Sequence, residues 1–193
     1  GNWQHAVCSK DDLVITGGTY DVSAVEDAFR GKDCVKIADG SFTVEAGGDG
    51  FVSTNDEDET RGFVSIDGGT FDISAQDDGI QAYTHARLAG GEFSMDSGDD
   101  AVHSDGSASV AGGTYDITAV DDAFHAETTL EVIDGTARVV SCYEGLEAQC
   151  VYLRGGTVNR ACNGRRRCGQ RRFAFSRRVV LRSGCFFFRP RWR

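Results

Sequence analysis

The stretch Gly68-Gly69-Thr70-Phe71-Asp72-Ile73-Ser74-Ala75-Gln76-Asp77-Asp78-Gly79-Ile80-Gln81-Ala82 decides the fold, because close copies of it recur along the chain. Its apolar residues Phe71, Ile73 and Ala75 fall at every second position, the period of a strand with one buried face. A glycine pair opens it and an Asp-Asp-Gly corner interrupts it. Working outward from Gly69, the same turn glycine stands at Gly18, Gly40, Gly91, Gly113, Gly135 and Gly156. The successive steps are 22, 29, 22, 22, 22 and 21 residues. The one long step carries an insert of seven residues, Thr54-Asn55-Asp56-Glu57-Asp58-Glu59-Thr60.

Around these anchors everything apolar falls into columns. Before them stand Leu13/Ile15, Val35/Ile37, Val64/Ile66, Ala86/Leu88, Ala108/Val110, Leu130/Val132 and Val151/Leu153. After them stand Tyr20/Val22/Ala24, Phe42/Val44/Ala46, Phe71/Ile73/Ala75, Phe93/Met95/Ser97, Tyr115/Ile117/Ala119 and Ala137/Val139/Ser141. A third column follows further on: Phe29, Phe51, Ile80, Val102, Phe124, Leu146. Three inward columns and glycine corners predict an all-β fold, a right-handed single-stranded parallel β-helix of about seven coils. Each coil has about 22 residues and three short strands. A leucine-rich repeat needs a Leu/Asn pattern that is missing, and a propeller blade needs about twice the period.

Composition agrees with a repeat body and sets its end apart. Among 193 residues there are 25 Gly but one Pro. All 30 acids lie before residue 154 against seven Lys and Arg, whereas residues 154–193 hold 13 Arg and no acid. No run approaches the ~20 apolar residues of a membrane span. The seven cysteines are odd in number and lack Cys-x-x-Cys pairing, so they indicate neither a zinc site nor a complete disulfide framework.

The phrases Lys10–Tyr20, Ser53–Thr60, Ile66–Phe71, Asp77–Ala82 and Ser141–Ala148 resemble the bacterial carbohydrate-binding domain-containing protein family, with its Gly-Gly-Thr and Asp-Asp-Gly-Ile repeats. The resemblance covers about Ala6 to Asn159. It implies a parallel β-helix, a secreted or cell-surface location on a Gram-positive gut or soil bacterium, and a polysaccharide or a cell-wall or host glycan as partner.

The expected division is a repeat domain over 1–159, opening inside a coil and so incomplete at its N-terminal end, followed by an Arg/Cys/Phe-rich tail over 160–193. In the tail, Arg160 stands where an apolar residue is due and Arg165 where an acid is due. A frame change in the gene accounts for this, since Gly164-Arg165-Arg166 can be encoded so that one base later it reads Asp-Asp. The other expectations are a disordered segment and a genuine basic tail that binds nucleic acid or an anionic polymer. Nucleic-acid binding is not inferred from these arginines.

Chemistry is expected at one corner of the coil. An acid falls nine residues after each of the first six anchors: Asp27, Asp49, Asp78, Asp100, Asp122 and Glu144. The position before it is often acidic too, as in Glu26, Asp77, Asp99 and Asp121, and three residues after it come Arg30, Val52, Gln81, His103, His125 and Glu147. One reading makes the ladder structural, each Asp accepting turn N–H groups. The other makes it a carboxylate rail for Ca²⁺, with Asp78, Asp100 and Asp122 as ligands and Asp56 and Asp58 of the acidic loop as further candidates. That loop lacks the glycine and the spacing of an EF-hand. The sugar-binding candidates are Asp77, Asp78, Gln81, Tyr83, Asp99, Asp100, His103, Asp121, Asp122 and His125. Acids and amides hold hydroxyls and exposed rings cover C–H faces. Asp99 with His103, and Asp121 with His125, are expected to project from one face.

These residues predict a non-catalytic extracellular glycan-binding module with Ca²⁺ as candidate cofactor. The alternatives are a polysaccharide lyase or glycosidase of the β-helix type, and a surface spacer without ligand. Against the enzyme, the acids are spread evenly instead of gathering at one cleft, and no Lys or Arg lies among His103 and His125 to neutralise a uronate.

Overall fold

A computed structural model describes residues 4–160 and the two-residue strand Phe173–Ala174. The readings made for the tail otherwise lie outside the described residues. Every described element is a strand, and no described helix is long and apolar enough to cross a membrane.

One coil shows how the pattern becomes structure. Thr70–Ala75 alternates exposed and buried residues, with Phe71, Ile73 and Ala75 inward. The short strands Ile80–Ala82 and His85–Leu88 follow around the two remaining sides. Each strand pairs in parallel with its equivalents in the coils before and after. Val22 lies opposite Val44, and Val44 opposite Ile73. The seven-residue insert does not disturb this, since Val35 pairs with Val64 across it. The chain is therefore a β-solenoid of about seven turns some 22 residues apart.

The anchor glycines turn the corner into each long strand. All seven have positive φ, from 81° at Gly156 to 145° at Gly40, a region that side chains disfavour. At Gly69 a Cβ would also stand 2.8 Å from the Gly40 carbonyl oxygen in the neighbouring coil.

The interior is held by two columns of rings. Tyr20, Phe42, Phe71, Phe93 and Tyr115 stack with centroids 4.6–5.0 Å apart and planes within 10°. That spacing is the coil rise itself, about 4.8 Å. Phe29 stacks on Phe51 at 4.8 Å and meets the first column edge-on. Phe42, Phe51 and Phe71 are fully buried, each worth roughly 1.5–3 kcal/mol.

Regularity loosens toward the C-terminal end. Ser141 pairs with Thr118, not with Ala119 as the even spacing predicts, because a bulge follows Ile117. The single 21-residue step is absorbed between Ala126 and Thr129. There one strand, His125–Val132, runs through a corner that elsewhere separates two strands. Pairing also outlasts Asn159, for Arg160 lies opposite Val139. Phe173–Ala174 then pairs antiparallel with Thr157 and Val158.

Candidate functional site

The acid ladder occupies the corner that leads from each long strand into the first short one. A corner N–H cannot find a strand partner as easily as one in mid-ladder, and here the carboxylate of the preceding coil supplies the acceptor. Asp27 Oδ1 accepts from the N–H of Asp49 at 3.2 Å, Asp49 Oδ1 from Asp78 at 3.0 Å and Asp78 Oδ1 from Asp100 at 2.9 Å. Asp100 Oδ1 accepts from Asp122 at 2.7 Å and Asp122 Oδ1 from Glu144 at 2.8 Å. One oxygen of each of the five aspartates is thus committed to the backbone, which explains why the residue recurs. Such charge-assisted bonds are stronger than neutral ones.

The second oxygen distinguishes the coils. Asp27 Oδ2 meets the Arg30 guanidinium at 2.8 Å. Asp49 and Asp78 are followed three residues on by Val52 and Gln81, which bring no charge. Burial pushes both carboxyls up to about 7, against the backbone N–H each accepts. At Asp100 the balance reverses. Burial would raise it, but His103 Nδ1 at 2.9 Å, the Asp122 N–H and His125 Nδ1 at 3.1 Å hold it below the usual carboxylate range. The hydrogen bond to Asp100 raises His103 to about 9 despite burial, helped by Asp105 at 3.2 Å from Nε2. Asp122 has no such help, because His125 reaches back to Asp100. Its Oδ2 is buried without a hydrogen-bond partner. Burial, and then the neighbouring Glu147 carboxyl, push Asp122 up to about 8.

In front of this rail runs an exposed row. Asp77, Asp99, Asp121 and Tyr143 follow one another coil by coil, the N–H of each later residue donating to the carbonyl of the one before. Asp99 is raised by burial and by the charges of Asp100, Asp121 and Asp77. Beside the row, Gln81, His103 and His125 lie in register. Tyr83 is 41% exposed and Tyr143 74%. All ten sugar-binding candidates therefore lie along one edge of neighbouring coils. The acid at His103 Nδ1 is Asp100, not Asp99, and the carboxylate nearest His125 Nδ1 is again Asp100, not Asp121.

Among the described residues, three groups bring donor atoms within 4.8 Å of one another: Asp100 with His103 and His125, Asp122 with His125 and Glu147, and Asp99 with Asp100 and Asp121. Asp56 and Asp58 belong to none of them. Their loop is tied internally: Asn55 Oδ1 accepts the N–H groups of Glu57 and Asp58, and Asp58 Oδ1 accepts both the N–H and the hydroxyl of Thr60. Those two bonds lower Asp58. Arg61 pairs with Asp33 at the base of the loop.

Sequence reasoning missed Asp105, Glu127, Glu147 and Tyr143 as site residues. A signal existed for three of them. His103-Ser104-Asp105 and His125-Ala126-Glu127 repeat an acid two positions beyond a histidine, on the same side of a strand, and Tyr143 holds the row position of Asp77, Asp99 and Asp121. Glu147 stands in the column of His103 and His125, but a lone acid there has no spacing that marks it.

A family model described as carbohydrate-binding domain-containing protein matches residues 1–145. No curated protein and no solved structure matches the chain.

Proposed function

The chain belongs to the carbohydrate-binding domain-containing protein family, and from that premise we propose that it holds an extracellular polysaccharide, without cleaving it, along the edge bearing Asp77, Gln81, Tyr83, Asp99, His103, Asp121, His125 and Tyr143. One observation carries the reading: Asp77, Asp99 and Asp121 form an exposed row with Gln81, His103 and His125 in register beside it, and an exposed Tyr143 continues the row while an exposed Tyr83 stands two residues beyond Gln81. A polymer of repeating sugars is matched by a repeating surface, with acids and amides for hydroxyls and rings for C–H faces. Asp78, Asp100 and Asp122 stand behind this surface and fix its corners. Calcium belongs to the proposal as an assisting ion at Asp99, Asp100 and Asp121, an all-oxygen set of the kind a hard cation prefers.

Retention of the chain by immobilised neutral and acidic polysaccharides, with Ca²⁺ and with chelator, tests the reading. Tyr143→Ala and Tyr83→Ala should each weaken retention several-fold while leaving the melting transition unchanged. Chelator should weaken it in the wild type. Release of reducing ends or unsaturated products would replace the proposal with a glycosidase or lyase. Failure to retain any polysaccharide would leave a spacer.

A further inference from the structure

The imidazoles at the C-terminal end of the rail introduce a chemistry that sugar binding does not require. His103 and His125 are successive members of one column, with ring centroids 4.8 Å apart and planes tilted by 54°. Their Nδ1 atoms converge on a single oxygen, Asp100 Oδ2, at 2.9 and 3.1 Å. Asp100 is buried and its other oxygen is held by the Asp122 N–H, so the shared oxygen is fixed in place. Ligand atoms around a tetrahedral zinc with bonds near 2.0–2.1 Å lie about 3.3 Å apart. The two nitrogen-to-oxygen separations need open by only a few tenths of an ångström.

Two further observations point the same way. The far nitrogen of each ring faces an acid two residues on: His103 Nε2 lies 3.2 Å from Asp105, and His125 Nε2 lies 3.9 Å from Glu127. Metal-bound histidines characteristically turn their other N–H to a carboxylate, which orients the ring and raises its basicity. Beside them, Asp122 Oδ2 is buried with no hydrogen-bond partner, and Asp122, His125 and Glu147 bring their own donor atoms within 4.8 Å of one another. Two carboxylates so close repel unless a proton shared between them or a cation relieves them.

We infer that Asp100, His103 and His125, with Asp122 or Glu147 completing the set, form a binding site for a divalent transition metal of the zinc class. Two imidazoles with carboxylates suit such an ion, whereas calcium and magnesium take oxygen. The carboxylates of Asp105 and Glu127 position the rings and do not touch the metal.

The inference shares Asp100, His103 and His125 with the sugar-binding edge but does not rest on sugar binding, and its test contains no sugar. The full chain, stripped with chelator, is dialysed against Zn²⁺ alone and the bound metal counted, and Co²⁺ substitution is read by its visible absorption. One retained zinc per chain is expected, with a cobalt spectrum of nitrogen and oxygen ligation. His103→Gln and His125→Gln should each weaken binding at least tenfold. Glutamine already occupies this column at Gln81, so both variants should fold, and their far-ultraviolet dichroism and melting check that they do. Asp105→Asn should cost about tenfold through ring orientation, while excess Ca²⁺ should not displace the zinc. Undiminished zinc in both histidine variants, a thiolate-type cobalt spectrum, displacement by Ca²⁺, or no retained zinc at all would each overturn the inference.

Discussion

The ring column and the acid column run through the same coils at the same rise, yet stacking has opposite consequences in them. Phe42 on Phe71 on Phe93 places like upon like at 4.6–4.7 Å, and every added coil removes more apolar surface from water. Asp78 near Asp100 near Asp122 places like charge upon like charge. That column survives because a backbone N–H is set between one carboxylate and the next, and because some members acquire a cation. A solenoid can therefore repeat any side chain whose neighbour above and below is either itself a good partner or is separated from it by one.

The sharpest way to break the comparison is Phe71→Ala, in the middle of the ring column. It should cost about 3–5 kcal/mol in unfolding free energy by denaturant titration, since rings on both sides hold the cavity open. Next is Asp100→Ala, which strips the Asp122 N–H of its acceptor and removes the oxygen that two imidazole Nδ1 atoms share. About 1–3 kcal/mol is expected by the same titration, and Asp100→Asn should recover part of it through its remaining carbonyl oxygen.

A smaller effect sharpens the comparison by separating charge from hydrogen bonding. The Asp49 carboxyl is raised to about 7 in the folded chain, chiefly by burial, against about 3.9 unfolded. Its stabilising contribution is full below about pH 4 and is lost as pH rises through 7, because the folded state prefers the proton. Asp49→Asn keeps an acceptor for the Asp78 N–H and removes the charge. The variant should gain on the wild type as pH rises from 4 to 7, and melting curves across that range would show it. The smallest effect is expected on the exposed face, where Arg138→Ala breaks the ion pair with Asp116 and should change stability by at most about 1 kcal/mol.

The coils were legible because burial imposes a period. Val22, Val44 and Ile73 could be placed above one another from spacing alone, and even the 29-residue step resolved into a coil plus an insert. The bulge after Ile117 was not legible, since Ala119 and Ser141 keep the spacing while the backbone shifts between them. At the site, the columns of Asp100, His103 and His125 were legible, and so was the structural role of the ladder. The pairing of His103 with Asp100 instead of Asp99 was not. Neighbours in sequence on a corner point to different sides, and the backbone path through the corner decides which side faces the ring.

The order of residues alone determined which side chains share a column, because a constant period makes register a matter of counting. What the tertiary structure alone decided is where each polar atom turns within its column. His125 lies three residues from Asp122 along the chain and one coil away from Asp100, and it takes Asp100 through Nδ1 while Asp122 keeps a buried oxygen without a hydrogen-bond partner. The coil rise of about 4.8 Å is comparable to the reach across three residues of a corner, so distance along the sequence cannot choose between the two acids. Side-chain packing at the corner chooses.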